Sequence, residues 1–74
     1  MQGQLKKVFR DKSYGFVRSN NKDYFFHRDD FDGHWNDICD DFEKGILPEF
    51  TFEVEQAEKG PRAVGVRLVS NNPR

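Results

Sequence analysis

The chain has 74 residues, too few for more than one domain, and its hydrophobic fraction of 35% accompanies 34% charged residues and a strongly negative mean hydropathy. A chain this short buries only about 60% of the surface its unfolded form exposes, so a compact and marginally stable fold is expected. Net charge is −1, and the single cysteine, Cys39, excludes an internal disulfide and a zinc framework.

Apolar positions recur with a period of two, and Gly or Asn-Asn punctuation separates the runs, so short strands are predicted rather than helices. The first run is Gln4 to Phe9 and the second Tyr14 to Arg18. Ser19-Asn20-Asn21-Lys22 reads as a hairpin loop, since Asn tolerates left-handed backbone. Asp23 to Arg28 is the third run. The acidic stretch from Asp29 to Pro48 is predicted as loop with one short helical turn at most. Phe50 to Glu55 alternates as a half-buried strand should, Glu58-Lys59-Gly60-Pro61 makes a turn, and Ala63 to Val69 supplies a fifth strand. Residues 70–74 form a polar tail, expected to be disordered. No repeat and no second domain is visible.

Five short strands with one long connection suit a small closed antiparallel barrel, because closure removes edges that a chain with eight Phe could not leave open. Period two then assigns faces. Phe50, Phe52 and Val54 are expected inward, facing Val64, Val66 and Leu68; so are Val17, Tyr24 and Phe26. Tyr14, Phe16, Phe25 and His27 point outward, four rings side by side on one sheet face. The aromatic fraction of 15% exceeds what so small a core needs, which agrees with a surface platform.

Charge is segregated along the chain. Residues 1–28 carry seven basic and two acidic side chains, a net of +5, whereas residues 29–58 carry eleven acidic and one basic, a net of −10. Such a distribution can give a nearly neutral protein a basic face. No apolar run is long enough for a signal peptide or a membrane span, so the reducing cytoplasm is the expected compartment, with no membrane partner.

Four short motifs carry a family resemblance. Lys12-Ser13-Tyr14-Gly15-Phe16-Val17 resembles the first ribonucleoprotein motif of cold-shock domains, of the Lys-Gly-Phe-Gly-Phe-Ile type. Tyr24-Phe25-Phe26-His27 resembles the second, of the Val-Phe-Val-His type. Gly3-Gln4-Leu5-Lys6 is similar to the family's Gly-Thr-Val-Lys opening, and Lys59-Gly60-Pro61-Arg62-Ala63-Val64 to its Lys-Gly-Pro-Gln-Ala-Ala turn. The match spans residues 1–69.

The resemblance implies an all-β, five-stranded antiparallel barrel of the OB type that stacks unpaired RNA or DNA bases. It implies Tyr14, Phe16, Phe25 and His27 as stacking residues and Lys6 and Lys12 as contacts to backbone or base edges, joined by Lys59 and Arg62 in the last motif. Trp35 resembles the aromatic that adds a further stack from the family's third loop. Two positions depart from the pattern. Lys7 and Arg28 stand where the family usually has Trp and Phe, which shifts binding toward phosphate contacts and leaves Phe9 as the nearest ring that could replace the Trp. The segment from Cys39 to Glu49 is also longer than its equivalent.

Other chemistries fit less well. His27-Arg28-Asp29 echoes a kinase catalytic triplet, but no nucleotide-binding lobe accompanies it. Asp29, Asp30, Asp32 and Gly33 lack the ligand spacing and closing Glu of a calcium loop. Cys39 with His34 and Asp37 reads as packing rather than a metal site, and His27 has no second group for catalysis. The expectation is therefore a monomeric, non-enzymatic single-strand binder without metal or cofactor, RNA-chaperone-like in action. The alternative is a protein-interaction module using the acidic 29–58 region.

Overall fold

The computed structural model describes residues 1–69; the predicted polar tail lies outside them. Five strands, β1 (Gln2–Phe9), β2 (Tyr14–Ser19), β3 (Lys22–His27), β4 (Glu49–Ala57) and β5 (Gly60–Leu68), close into a barrel in the order β1-β2-β3-β5-β4. The barrel is not purely antiparallel as expected. β3 and β5 run parallel, joined through the single pair Phe25–Arg62, and a parallel bridge from Phe31 to Val66 extends that seam. The long connection between β3 and β4 reverses the sense in which the sheet closes.

The tight connection between β2 and β3 follows local chemistry. Asn20 and Asn21 both adopt positive φ, 54° and 65°, which turns β2 into β3 in two residues rather than the four-residue loop predicted. The acidic segment holds more structure than expected: helix α1 runs from Trp35 to Glu43. Trp35, Ile38, Cys39 and Phe42 fall at helical spacing, and that stripe closes one end of the barrel. The helix ends at Gly45, whose φ of +83° lets its N–H reach the Phe42 carbonyl while Ile46 N–H reaches that of Asp41. No helix among the described residues is long and apolar enough to cross a membrane.

Leu5, Val17, Tyr24, Phe26, Phe50, Phe52, Ala63 and Val66 fill the barrel, and Phe31 and Trp35 lie against Phe26. Val17, Tyr24, Phe26, Phe50 and Phe52 face inward as predicted, and Val54 packs at the margin. The last strand departs from prediction. Ala63 and Val66 are the buried pair, Val64 is half-buried, and Leu68 is 46% exposed. A bulge at Gly65 (φ +59°) inserts one residue into β5 opposite β4, so Ala63 takes the inward phase in place of Val64, while Leu68 keeps the phase of Val66 and is exposed as the last residue of the strand. A second bulge lies in β1 between Leu5 and Lys7, and it turns both Leu5 and Val8 inward.

Candidate nucleic-acid interface

Strand register assembles the outer face in rows. One row crosses all five strands: Lys7 pairs with Phe16, Phe16 with Phe25, Phe25 with Arg62, and Arg62 with Glu55. A second row joins Phe9, Tyr14 and His27. Cross-strand partners stand on the same side of a sheet, so the rings meet. Phe9 and Tyr14 lie 5.0 Å apart between centroids, Tyr14 and Phe25 5.2 Å, and Phe16 and Phe25 6.0 Å in an edge-to-face contact. All are half-buried, and they support one another through tilted and edge-to-face contacts.

The four outward rings predicted from alternation are thus together, and Phe9 joins them. The sequence alone leaves its role open. It belongs to the platform because the β1 bulge turns Lys7 and Phe9 outward, and the Lys7 ammonium lies 5.5 Å from the Phe9 ring centroid. His27 Nδ1 accepts the Asp29 N–H at 3.1 Å, which fixes the ring at the platform's end and leaves Nε2 as the protonated nitrogen of the neutral form.

Trp35 is not on this face. It is 4% exposed, edge-on to Phe26 at 5.9 Å and to Phe31 at 6.5 Å, and its Nε1–H finds no acceptor among the described residues. The helical spacing that places Ile38 and Cys39 in the core takes Trp35 with them. Its expected stacking role is therefore corrected to a packing role.

The basic residues divide into two groups. Lys7, Lys12, Arg28 and Lys59 are exposed and carry no ion pair among the described residues. Lys12 and Arg28 flank the Phe9–Tyr14–His27 end, where Arg28 N–H bonds to the Ser13 carbonyl; Lys59 lies in the turn beside Phe25. Lys6 and Arg62, by contrast, have partners. Lys6 approaches Asp23 at 3.9 Å, and Arg18 also bonds Asp23. Those cations, the Arg18 hydrogen bond foremost, hold the Asp23 carboxyl below its usual range. Arg62 donates to Asp30 at 2.8 Å and stands 3.6 Å from Glu55.

Five of the eleven acidic residues in 29–58 are engaged by the chain's own arginines: Asp30 and Glu55 with Arg62, Asp32 with Arg67, Asp40 and Glu43 with Arg10. Among the described residues no group of three or more His, Cys, Asp or Glu is placed to hold a metal ion. Cys39 is buried, and burial pushes its thiol pKa up. The chain matches no family model, and no match was found among curated proteins.

Proposed function

We propose that this small β-barrel binds single-stranded RNA or DNA by stacking unpaired bases on the Phe9, Tyr14, Phe16, Phe25 and His27 face. More narrowly, we assign it to the cold-shock type of OB-like barrel, a monomeric, non-enzymatic, RNA-chaperone-like protein that traps unpaired segments. The observation that carries this reading is the contiguous aromatic face itself. Five rings left half-open on one sheet of a 74-residue chain cost hydrophobic burial that the core could have used. Base stacking recovers it, at roughly 1–3 kcal/mol per base and with little sequence demand. Lys7, Lys12, Arg28 and Lys59 stand at the margins, where a sugar–phosphate backbone would run. A reducing, cytoplasmic setting suits the buried free thiol of Cys39.

In the alternative reading, an acidic docking face for a basic partner, only the acidic side chains of 29–58 other than Asp30, Asp32, Asp40, Glu43 and Glu55 are free of the chain's own arginines among the described residues. The test is fluorescence anisotropy with a 5′-labelled thymidine heptamer, single-stranded and as a duplex. Phe25→Ala should weaken single-strand binding by about 1–3 kcal/mol and leave the thermal melt nearly unchanged. Phe26→Ala, one residue along and 0% exposed, should cost about 3–5 kcal/mol of stability. A Phe25→Ala protein that binds the heptamer as tightly as the parent ends the stacking model, and equal affinity for the duplex reduces the interaction to electrostatics.

A further inference from the structure

Beside Phe25 the platform continues into a groove of about 430 Å³ between β3 and the β4–β5 turn, walled by Phe25, Lys59 and Pro61 and floored by Arg62. Arg62 is in an unusual state for a phosphate-binding cation. Its guanidinium lies between two carboxylates, donating to Asp30 at 2.8 Å and standing 3.6 Å from Glu55, so the local charge is net negative. Counting Lys59 and Glu58, which also line the groove, a phosphate arriving there would meet three anions and two cations. Its Nε is also buried without a hydrogen-bond partner among the described residues. What the trio offers instead is a fixed array of hydrogen-bonding groups: a guanidinium with donors to spare, held by Asp30, next to a Glu55 side chain that is 60% exposed.

The register sets that array beside the ring. Phe25, Arg62 and Glu55 are successive partners across β3, β5 and β4, so a base lying on Phe25 points an edge across Arg62 toward Glu55. The edge that fits presents an acceptor to the guanidinium, then donors to the carboxylate. Guanine presents O6, then N1–H and the 2-amino group, which a carboxylate can accept together. Uracil and thymine supply one donor between two acceptors. Cytosine and adenine, turned over on the ring, bring an acceptor to the guanidinium but only one amino group to the carboxylate, so guanine alone offers an acceptor followed by two adjacent donors.

We propose that this groove, together with the Arg62–Glu55 row at its side, is a guanine-selective subsite, with Arg62 and Glu55 as the residues that read the base and Asp30 as the residue that positions Arg62. The inference rests on the stacking reading, and it adds base specificity to a platform that is otherwise indifferent to sequence.

The test uses seven labelled thymidine heptamers, each with one guanine at a different position, against the all-thymidine strand. One position, or two adjacent ones, should gain roughly five- to hundredfold in affinity. Inosine at that position lacks the 2-amino group and should lose much of the gain, with no change to the protein. Glu55→Gln, on an exposed side chain, should also reduce the gain. Arg62→Gln should abolish it. No gain at any position overturns the subsite, as does a gain that survives both substitutions, or an Arg62→Gln protein that weakens every strand equally with a flatter salt slope. If the all-thymidine strand binds and Phe25→Ala weakens it while guanine adds nothing, stacking stands and the subsite falls. If no strand binds, both fall.

Discussion

Trp35 separates a packing role from a binding role more sharply than any other residue. Its ring is almost wholly enclosed, with Phe26 and Phe31 edge-on against it. Truncating such a side chain to Ala removes its transfer free energy and leaves a cavity, a cost of about 3–5 kcal/mol. At about 0.05–0.15 kcal/mol per residue a domain of this length has roughly 4–11 kcal/mol in total. Trp35→Ala should therefore leave it barely folded, with Tm lower by about 12–40 °C at 4–8 °C per kcal/mol. Trp35→Phe behaves differently. It keeps most of the buried ring and deletes the unpaired indole N–H, whose burial costs about 1–3 kcal/mol. The lost volume and the removed orphan donor nearly offset each other, so its Tm should stay within about 10 °C of the parent's. Thermal melts followed by circular dichroism, with heptamer binding measured on the same proteins, decide the matter. Trp35 emission should be blue-shifted in the folded protein and unmoved by oligonucleotide. A Trp35→Ala protein with an unchanged melt and weakened binding would refute the packing assignment.

Two further outcomes test the frame around the platform. A Cβ at Gly15 would lie 2.7 Å from the Lys7 carbonyl and 3.1 Å from the Phe26 ring, neither of them a flexible side-chain end. Gly15→Ala should cost about 1–3 kcal/mol and, by pushing β1 outward with Lys7 and Phe9, weaken heptamer binding as well; a melt and a titration both unchanged would contradict the close approach. Because burial raises the Cys39 thiol pKa, the protonated thiol contributes stability that is complete below the ordinary thiol pKa and is lost as pH rises through the raised folded value. Tm should thus fall in the alkaline range less steeply for Cys39→Ala than for the parent, and a thiol-disulfide reagent at pH 8 should label native Cys39 only as fast as the fold opens. Stoichiometric labelling within seconds would place the thiol at the surface.

The strands were legible because alternation survives even in a charged chain: Tyr24-Phe25-Phe26-His27 can satisfy a core and a surface only as a strand. Helix α1 was hidden by its composition. Asp37, Asp40, Asp41 and Glu43 make the segment read as solvated loop, yet Trp35, Ile38, Cys39 and Phe42 already lay at helical spacing. Finding that stripe would have moved Trp35 into the core. The resemblance placed it outside instead, because a motif match transfers a position and carries no information about the helix around it. The parallel β3–β5 seam and the Arg62 cluster were not legible for a different reason. Asp30 and Arg62 are 32 residues apart, and only barrel closure brings them together.

The bulges show how one inserted residue can decide what a surface does. Strict alternation from Leu5 would send Lys7 and Phe9 inward and Val8 outward, burying an ammonium in a core that offers it no partner. The extra residue in β1 breaks the alternation, so that Leu5 and Val8 both pack inside while Lys7 and Phe9 line up with Phe16 and Tyr14. Gly65 does the same for β5, keeping Ala63 and Val66 inside. On the Ala63 side of that bulge, Arg62 keeps the phase that pairs it with Phe25 and Glu55. A glycine inside a strand is a visible sign of such a break, and Gly65 was available to be read. Lys6 gives no such sign. Its bulge follows from the requirement that Leu5 and Val8 both be buried, a condition set by the whole barrel.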